Sequence, residues 1–218
     1  MTFMVDAPST LLGAESKPGP PDQERVGRQD PQKAVTPVNQ VLTPLGKQLD
    51  LPGMRPQALA IAPNGTFFIT SGKTNELLVI DLAKAQIRQR VPLPATDVHD
   101  PVSSQLLNPE KENQLSFTGL IFSPGGDRIY MSNVDGFISV FNVTANGEVS
   151  LATAWSLGAA KAPRRLAEIP SGLAISADGS KLYVCGNLSN RLLELDAANG
   201  KTVRTFDVGV APFDVALV

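Results

Sequence analysis

Few residues of this chain have the type and spacing that catalysis needs. His99 is the single histidine among 218 residues, and no Gly-x-Ser-x-Gly elbow supplies a serine for it to activate. The glycine patterns that bind dinucleotides and nucleotide phosphates are also absent. Zinc and iron sites need more ligands of this kind than His99 and Asp100 supply. The sequence therefore predicts no catalytic residue, no metal site and no cofactor, and a solvated loop position for His99.

Other reactive side chains fit architectural roles. Cys185 lies inside an apolar, strand-like segment, where a buried thiol is expected, and Arg191 is a basic residue that follows it in sequence. Asp81 and Asp196, with Asn142 at the matching place, follow similar apolar segments. Their recurrence predicts hydrogen bonds to backbone amides of the next turn and argues against an acid–base pair.

Five polar residues are the candidates for binding. Lys73 and the pair Arg164-Arg165 could bind a carboxylate, a phosphate or an acidic surface, the alternative being solvated basic side chains. Asn187 and Asn190 could bind a ligand or adopt turn conformations. Trp155 is expected to pack on an outer strand.

Composition narrows the class of protein. The net charge is −2 with no basic stripe, which argues against a nucleic-acid partner. No apolar run is long enough for a transmembrane helix. The chain has 18 glycines and 18 prolines, which favours turn-rich β structure. Residues 1–40 are rich in proline and predict a disordered tail. No signal peptide is visible in the first twelve residues, so the compartment stays open.

The rest of the sequence repeats itself. The matching positions Leu59, Leu120, Leu173 and Val215 are 61, 53 and 42 residues apart, and a WD40-like propeller blade has about 40–45 residues. Each copy begins with an apolar strand and a turn of Asn-Gly, Gly-Gly or Asp-Gly, which suits hairpins. Residues 41–218 are therefore predicted to form an all-β, partial β-propeller of four-stranded blades.

The two ends of this repeat region predict how many whole blades the chain contains and whether the ring is complete. Residues 41–51 resemble 195–206, the outer hairpin of the third copy, and residues 212–218 begin a fourth copy. The chain is expected to hold about three whole blades of a larger, truncated ring. The alternative is a closed four-bladed ring, the lower limit of the common range.

In a four-stranded blade, the turn between the second and third strands and the linker to the next blade emerge on the same side. The long insertions at residues 94–116 and 158–170 are such linkers. They and the polar turns are therefore predicted to gather on one face, where a rigid scaffold presents its binding residues.

The copies resemble the YVTN repeat. Lys181-Leu-Tyr-Val184 with Arg191-Leu-Leu-Glu-Leu-Asp196 carries the likeness most fully, and residues 130–141 and 68–81 repeat it. The resemblance implies a seven-bladed propeller of the YncE-like type, usually found outside the bacterial cytoplasm, which suggests a periplasmic or secreted protein. Residues 54–61, 71–77, 162–165 and 207–212 further resemble the N-terminal propeller of bacterial proteins that fuse such a propeller to an alkaline-phosphatase-like phosphoesterase. None of that enzyme's catalytic residues matches a position here.

These observations favour a non-catalytic binding or scaffold propeller that presents a loop-rich face to a protein, a polymer or a small anionic ligand. The alternative is the propeller part of a bifunctional phosphoesterase. A lactonase-like or dehydrogenase-like propeller enzyme would need inward carboxylates around a metal or a cofactor site. The first strand of each copy, such as Leu120-Ile-Phe122, is instead apolar.

Overall fold

The computed structural model describes residues 25–30, 32–52, 54–72, 76–93, 115–162 and 167–218, with the backbone alone for Gln29 and residues 115–118. The chain divides into two compact units, residues 1–48 and 49–218. None of the described residues forms a helix that is long and apolar enough to cross a membrane.

The first unit contains a small antiparallel sheet. Its strands are β1 (Gly27–Asp30), β2 (Lys33–Val35) and β3 (Val41–Leu42), paired in that order. Side chains close both turns, because Gln32 N donates to Asp30 Oδ1 at 2.7 Å and Gln40 N donates to Thr36 Oγ1 at 3.1 Å. Such local hydrogen bonds can hold short strands in a stretch with few apolar residues.

This sheet differs from two expectations. β1 and β2 lie in the stretch whose composition predicts a disordered tail, and the domain boundary near residue 40 stays a prediction. The outer hairpin predicted over residues 41–51 is wrong. β3 ends at Leu42 and pairs with β2, and residues 43–52, all described, form no strand. Two residues there, Pro44 and Gly46, disfavour a continuous ladder.

The second unit consists of three four-stranded antiparallel sheets, and in each the strands pair in chain order. We call these sheets blades 1, 2 and 3. Blade 1 comprises β4 (Pro56–Ile61), β5 (Phe67–Gly72), β6 (Glu76–Asp81) and β7 (Gln86–Pro92). Blade 2 comprises β8 (Leu115–Phe122), β9 (Arg128–Asn133), β10 (Phe137–Val143) and β11 (Val149–Ser156). Blade 3 comprises β12 (Pro170–Ile175), β13 (Lys181–Gly186), β14 (Arg191–Asp196) and β15 (Thr202–Asp207).

The predicted hairpin turns are confirmed. Gly65, Gly126 and Gly179 have φ of 68°, 75° and 72°, a conformation that glycine adopts without steric cost. In the turn of blade 3, Asp178 accepts hydrogen bonds from Ser176 and Ser180, and these lower the pKa of its carboxyl to about 2. The expected role of the strand-ending carboxylates also holds. Asp81 accepts from Lys84 N and Asp196 accepts from Ala198 N, both at 2.8 Å.

Apolar side chains fill the seams between blades. Phe67, Ile69 and Val79 of blade 1 pack with Ile129 and other residues of blade 2 in one cluster. A second cluster joins blades 2 and 3 and includes Tyr130, Ile138, Val140, Leu182 and Leu193. The strands β4, β8 and β12 lie side by side, and β7 also approaches β11. The blades therefore stack face to face with their first strands adjacent, which we call the inner strands.

Two close approaches lock the seam between blades 2 and 3. Ser132 Oγ donates to the carbonyl oxygen of Ser171 on the next inner strand at 2.6 Å, and a methyl group at Gly119 would overlap both of these oxygen atoms. Further out, the indole of Trp155 lies against Gly200, where a methyl group would also collide. Trp155 on β11 is therefore buried as predicted, and glycine is needed where neighbouring blades touch.

The beginning of the fourth copy is present but its blade is not. Pro212 and Phe213 lie beside β12, because Gly172 N donates to the carbonyl oxygen of Phe213 at 2.9 Å and Ser171 Oγ donates to that of Pro212 at 2.8 Å. At the other end of the array, Leu59 is 59% exposed, whereas the equivalent Leu120 is 4% exposed beneath the preceding blade. The described residues form three four-stranded blades and no fourth, which confirms a partial propeller and does not match the closed four-bladed alternative.

Candidate binding face

The linker after blade 2 contacts the β9–β10 and β13–β14 turns on one side of the blades, as predicted for these three segments. Leu157 N, in the linker after blade 2, donates to the carbonyl oxygen of Gly136 in the β9–β10 turn at 3.0 Å. Lys161 N donates to Ser189 Oγ in the β13–β14 turn at 2.6 Å. We call this side the loop face; its described part comprises the β9–β10 and β13–β14 turns and the described residues of the linker after blade 2, and the β5–β6 turn and the linker after blade 1 are expected there. The hairpin turns at Gly65, Gly126 and Gly179 form the opposite, turn face.

Asn187 and Asn190 lie on the loop face, in the β13–β14 turn. Asn187 Nδ2 donates to the carbonyl oxygen of Pro212 at 3.2 Å. Asn190 has a φ of 55°, and its Oδ1 accepts from Ala211 N at 2.9 Å. Both side chains thus hold the segment that leads into residues 212–218. This favours the turn role, and a ligand-binding role for Asn187 and Asn190 stays a prediction.

The three cationic candidates fall outside the described residues. Lys73 belongs to the β5–β6 turn, and Arg164 and Arg165 belong to the linker between blades 2 and 3. The described residues on both sides of each gap are Gly72, Glu76, Ala162 and Ala167. His99 and most of the 94–116 insertion are also outside the described part of the chain.

A buried ion pair, which the sequence did not reveal, supports the described part of the loop face. The Glu168 side chain is fully buried, and its Oε2 lies 3.3 Å from Arg191 Nη2 at the start of β14. Its Oε1 accepts from Leu188 N at 2.9 Å and from Ile169 N at 3.1 Å. One carboxylate therefore joins the linker, the β13–β14 turn and the strand. Blade 1 has Met54 at the matching place, so repeat comparison alone does not mark Glu168.

Cys185 lies in the interior of blade 3, as expected for a structural thiol. It is 2% exposed, and burial, with a smaller contribution from the negative charge of Asp214, raises the pKa of the thiol. The thiolate is the nucleophilic form of cysteine. A higher pKa lowers the thiolate fraction at neutral pH, so this residue is poorly suited to covalent catalysis.

We therefore expect Cys185 to resist alkylation in the folded protein. At pH 8 the reaction with iodoacetamide should be at least about 100-fold slower than in 6 M guanidinium, since both burial and the raised pKa oppose it. The measurement is intact-mass spectrometry over time, with free cysteine as the control. Equal rates in the folded and unfolded protein would contradict this assignment.

The turn face carries two grooves that the sequence analysis did not anticipate. One, of about 320 Å³, lies between blades 1 and 2 beside Asn64 and Thr144. The other, of about 470 Å³, lies between blades 2 and 3 beside Asp127, Arg128 and Lys181. In this second groove the Arg128 side chain already has a hydrogen-bond partner, because its Nη1 donates to the carbonyl oxygen of Ala197 at 3.1 Å. Among the residues that the structure describes, no three His, Cys, Asp or Glu side chains are grouped to hold a metal ion.

Solved structures resemble this arrangement. A hydrazine synthase of Kuenenia stuttgartiensis matches with a TM-score of 0.53 and 16% identity, over 78% of this chain and 41% of that one. The periplasmic gluconolactonase PpgL of Pseudomonas aeruginosa matches with a TM-score of 0.56 and 19% identity, over 84% and 48%. The WD40 repeats of RRP9 match with a TM-score of 0.51 and 13% identity, over 74% and 41%. No protein-family model matches the sequence, and no curated protein does.

The described blades and these likenesses define the class of protein. This chain is a β-propeller protein whose described residues form three four-stranded blades of a larger ring. It spans less than half the length of the solved propellers that it matches. At identities of 13–19% the likeness shows the fold alone, and the narrower YncE-like relation stays a prediction.

Proposed function

We propose that this chain is a binding or scaffold propeller of the YncE-like type, whose loop face takes an acidic partner or a small anionic ligand. The main support is that turns and linkers of successive blades meet on one side and are held there by a rigid scaffold. Loops held by a rigid framework are a common position for binding residues. Arg164, Arg165 and Lys73 belong to these loops, and their guanidinium and ammonium groups suit carboxylates and phosphates.

The buried Glu168–Arg191 pair supports this proposal further. Because Glu168 accepts from Leu188 N and contacts Arg191, the β13–β14 turn is fixed relative to the linker that carries Arg164 and Arg165. Binding costs less conformational entropy when loops are ordered beforehand. Charge on a preformed loop therefore has more effect on affinity than the same charge on a flexible tail.

The experiment measures binding of a fluorescein-labelled oligoglutamate peptide and of inorganic phosphate to the full chain. Replacing Arg164 and Arg165 together by alanine should weaken binding of the peptide at least about tenfold and reduce its salt dependence. The double variant K84A/K201A, which removes two charges from turns of the other face, is the matched control and should change little. An anion-binding loop face would be contradicted if neither the peptide nor phosphate bound, or if both double variants lost the same amount of peptide affinity.

The alternative function is the propeller part of a phosphoesterase fusion, with an alkaline-phosphatase-like domain as the partner. Its support is the resemblance of residues 54–61, 71–77, 162–165 and 207–212. In that case the loop face would position a substrate or the second domain, and catalysis would reside elsewhere. Metal-dependent turnover of a phosphodiester by this chain itself would contradict both functions, since each treats the chain as non-catalytic.

A further inference from the structure

Three Asn-Gly pairs lie in turns of the blades, at Asn64-Gly65, Asn146-Gly147 and Asn199-Gly200. Asparagine loses its side-chain amide most easily when glycine follows it, because glycine has no side chain to shield its nitrogen from the neighbouring amide carbon. All three asparagines are exposed. In each turn the glycine has a positive φ and its N–H donates to a carbonyl oxygen of the same turn. Differences in the other contacts therefore decide which asparagine reacts first.

Side-chain hydrogen bonds hold two of these asparagines. Asn64 Oδ1 accepts from Thr66 N at 3.0 Å and from Thr66 Oγ1 at 2.8 Å. Asn199 Oδ1 accepts from Lys201 N at 2.9 Å. Such bonds to the residue two positions further on keep the side chain in one orientation. No described atom makes a comparable bond with the side chain of Asn146, so its amide is free to turn toward the next backbone nitrogen.

A guanidinium group reaches the Asn146-Gly147 peptide from the neighbouring blade. Arg88 lies on β7 of blade 1, and its Nη2 donates to the carbonyl oxygen of Asn146 in the β10–β11 turn. The same guanidinium lies over the ring of Phe67, 5.8 Å from the centroid. A methyl group at Gly147 would come within 2.8 Å of Arg88 Nη1. The other two Asn-Gly peptides receive no hydrogen bond from a charged side chain among the described residues.

This contact affects the reaction because the glycine nitrogen attacks in its deprotonated form. The negative charge of a deprotonated peptide group is shared between its nitrogen and its carbonyl oxygen. A guanidinium that donates to the oxygen therefore stabilises the reacting anion. A hydrogen bond between oppositely charged groups is strong enough to raise the rate at least about tenfold.

We propose that Asn146 is a site of spontaneous deamidation, activated by Arg88 across the seam between blades 1 and 2. Gly147 N bonds to Asn146 Cγ, the bond from Cγ to Nδ2 breaks, and ammonia leaves with the proton that Gly147 N has lost. Water then adds to one of the two carbonyl carbons of the cyclic imide and breaks the bond from that carbon to nitrogen. The product is aspartate or isoaspartate, and its carboxylate has a charge opposite to that of Arg88.

The test is peptide mapping by tandem mass spectrometry of the full chain, sampled during incubation at pH 8. The gain in mass when an amide becomes a carboxyl group gives the reaction rate at each asparagine. In the folded protein Asn146 should react at least about tenfold faster than Asn64 and Asn199. In 6 M guanidinium, where these contacts are lost, the three rates should be similar. A rate at Asn146 in the folded protein that does not exceed the other two would overturn the proposal.

Variants of Arg88 test the activation itself. R88Q removes the cation and should lower the rate at Asn146 at least about tenfold, with the rate at Asn199 unchanged. R88K keeps a positive charge and should retain part of the activation. R90Q, on the same strand, removes a cation that pairs with Glu76 and is the matched control, so its rates should equal those of the wild type.

Circular dichroism shows whether each variant is folded. An unchanged rate at Asn146 in folded R88Q would overturn the role of Arg88. If R88Q does not fold, the comparison of the three asparagines in the wild type still decides whether Asn146 is the reactive site. None of these results depends on the anion-binding experiment.

Discussion

Replacing Gly119 by alanine is expected to lower the free energy of unfolding by about 3 kcal/mol, at the upper end of overpacking costs. A methyl group there would overlap Ser132 Oγ and the carbonyl oxygen of Ser171. One of these atoms is backbone of the next inner strand, so the clash cannot be relieved by turning a side chain. The seam must open, and the Ser132–Ser171 hydrogen bond is weakened with it.

Thermal unfolding followed by circular dichroism measures this effect. A loss of about 3 kcal/mol corresponds to roughly 6–12 °C in the midpoint for a unit of this size. Gly125→Ala is the matched control, because the nearest atom to a new methyl group there is Asp127 Oδ1 at 3.4 Å. Ser132→Ala separates the lost hydrogen bond from the clash and should cost about 1 kcal/mol. A Gly119→Ala midpoint equal to that of Gly125→Ala would show that the seam is looser than the contacts at Gly119 indicate.

Replacing Glu168 by alanine is expected to cost about 3–5 kcal/mol, the usual loss when one partner of a buried ion pair is removed. Arg191 would keep its charge with its Nε already buried and without a hydrogen-bond partner among the described atoms. Leu188 N would also lose its acceptor. Glu168→Gln can keep that acceptor, so its loss should be smaller.

Two comparisons make this second prediction specific. The exposed pair Glu76–Arg90 is the matched control, and Glu76→Ala should cost below about 1 kcal/mol. Removing both buried charges, as E168L/R191L, should recover much of the stability lost by E168A, because no buried charge is then left unpaired. Hydrogen exchange at Leu188 N gives a local measurement, and its protection should fall in E168A. An unchanged exchange rate would show that Glu168 does not hold the turn.

The sequence predicted the blades well because each blade is formed by four strands that are consecutive along the chain. The pairs Asn64-Gly65 and Asp178-Gly179 determine tight turns, and the apolar strands between them have only their chain neighbours to pair with. The three whole blades, the roles of Asp81 and Asp196, and the burial of Cys185 follow from such local rules. Trp155 was also placed correctly, on the outer strand of blade 2.

What the sequence did not show depends on neighbours that are distant along the chain. Glu168 pairs with Arg191, which follows it in the chain after the strands β12 and β13. No residue next to Glu168 in the sequence indicates that partner. The sequence does not distinguish Gly119 from other strand glycines. The requirement for glycine comes from the close contact with Ser171 of the next blade. The 41–51 hairpin prediction was wrong for a local reason, because it relied on a likeness to residues 195–206 although Pro44 and Gly46 interrupt the strand pattern.

One position on the second strand of each blade carries a different side chain in blade 3. Ser71 and Ser132 have hydroxyls where blade 3 has the thiol of Cys185, and a thiol is a weak donor. Residues 212–218 are held instead by Ser171 Oγ and Asn187 Nδ2, which both donate to the carbonyl oxygen of Pro212. Because burial shields the thiol of Cys185, the rate at which it is modified in the folded protein measures how often the surroundings of β13 open.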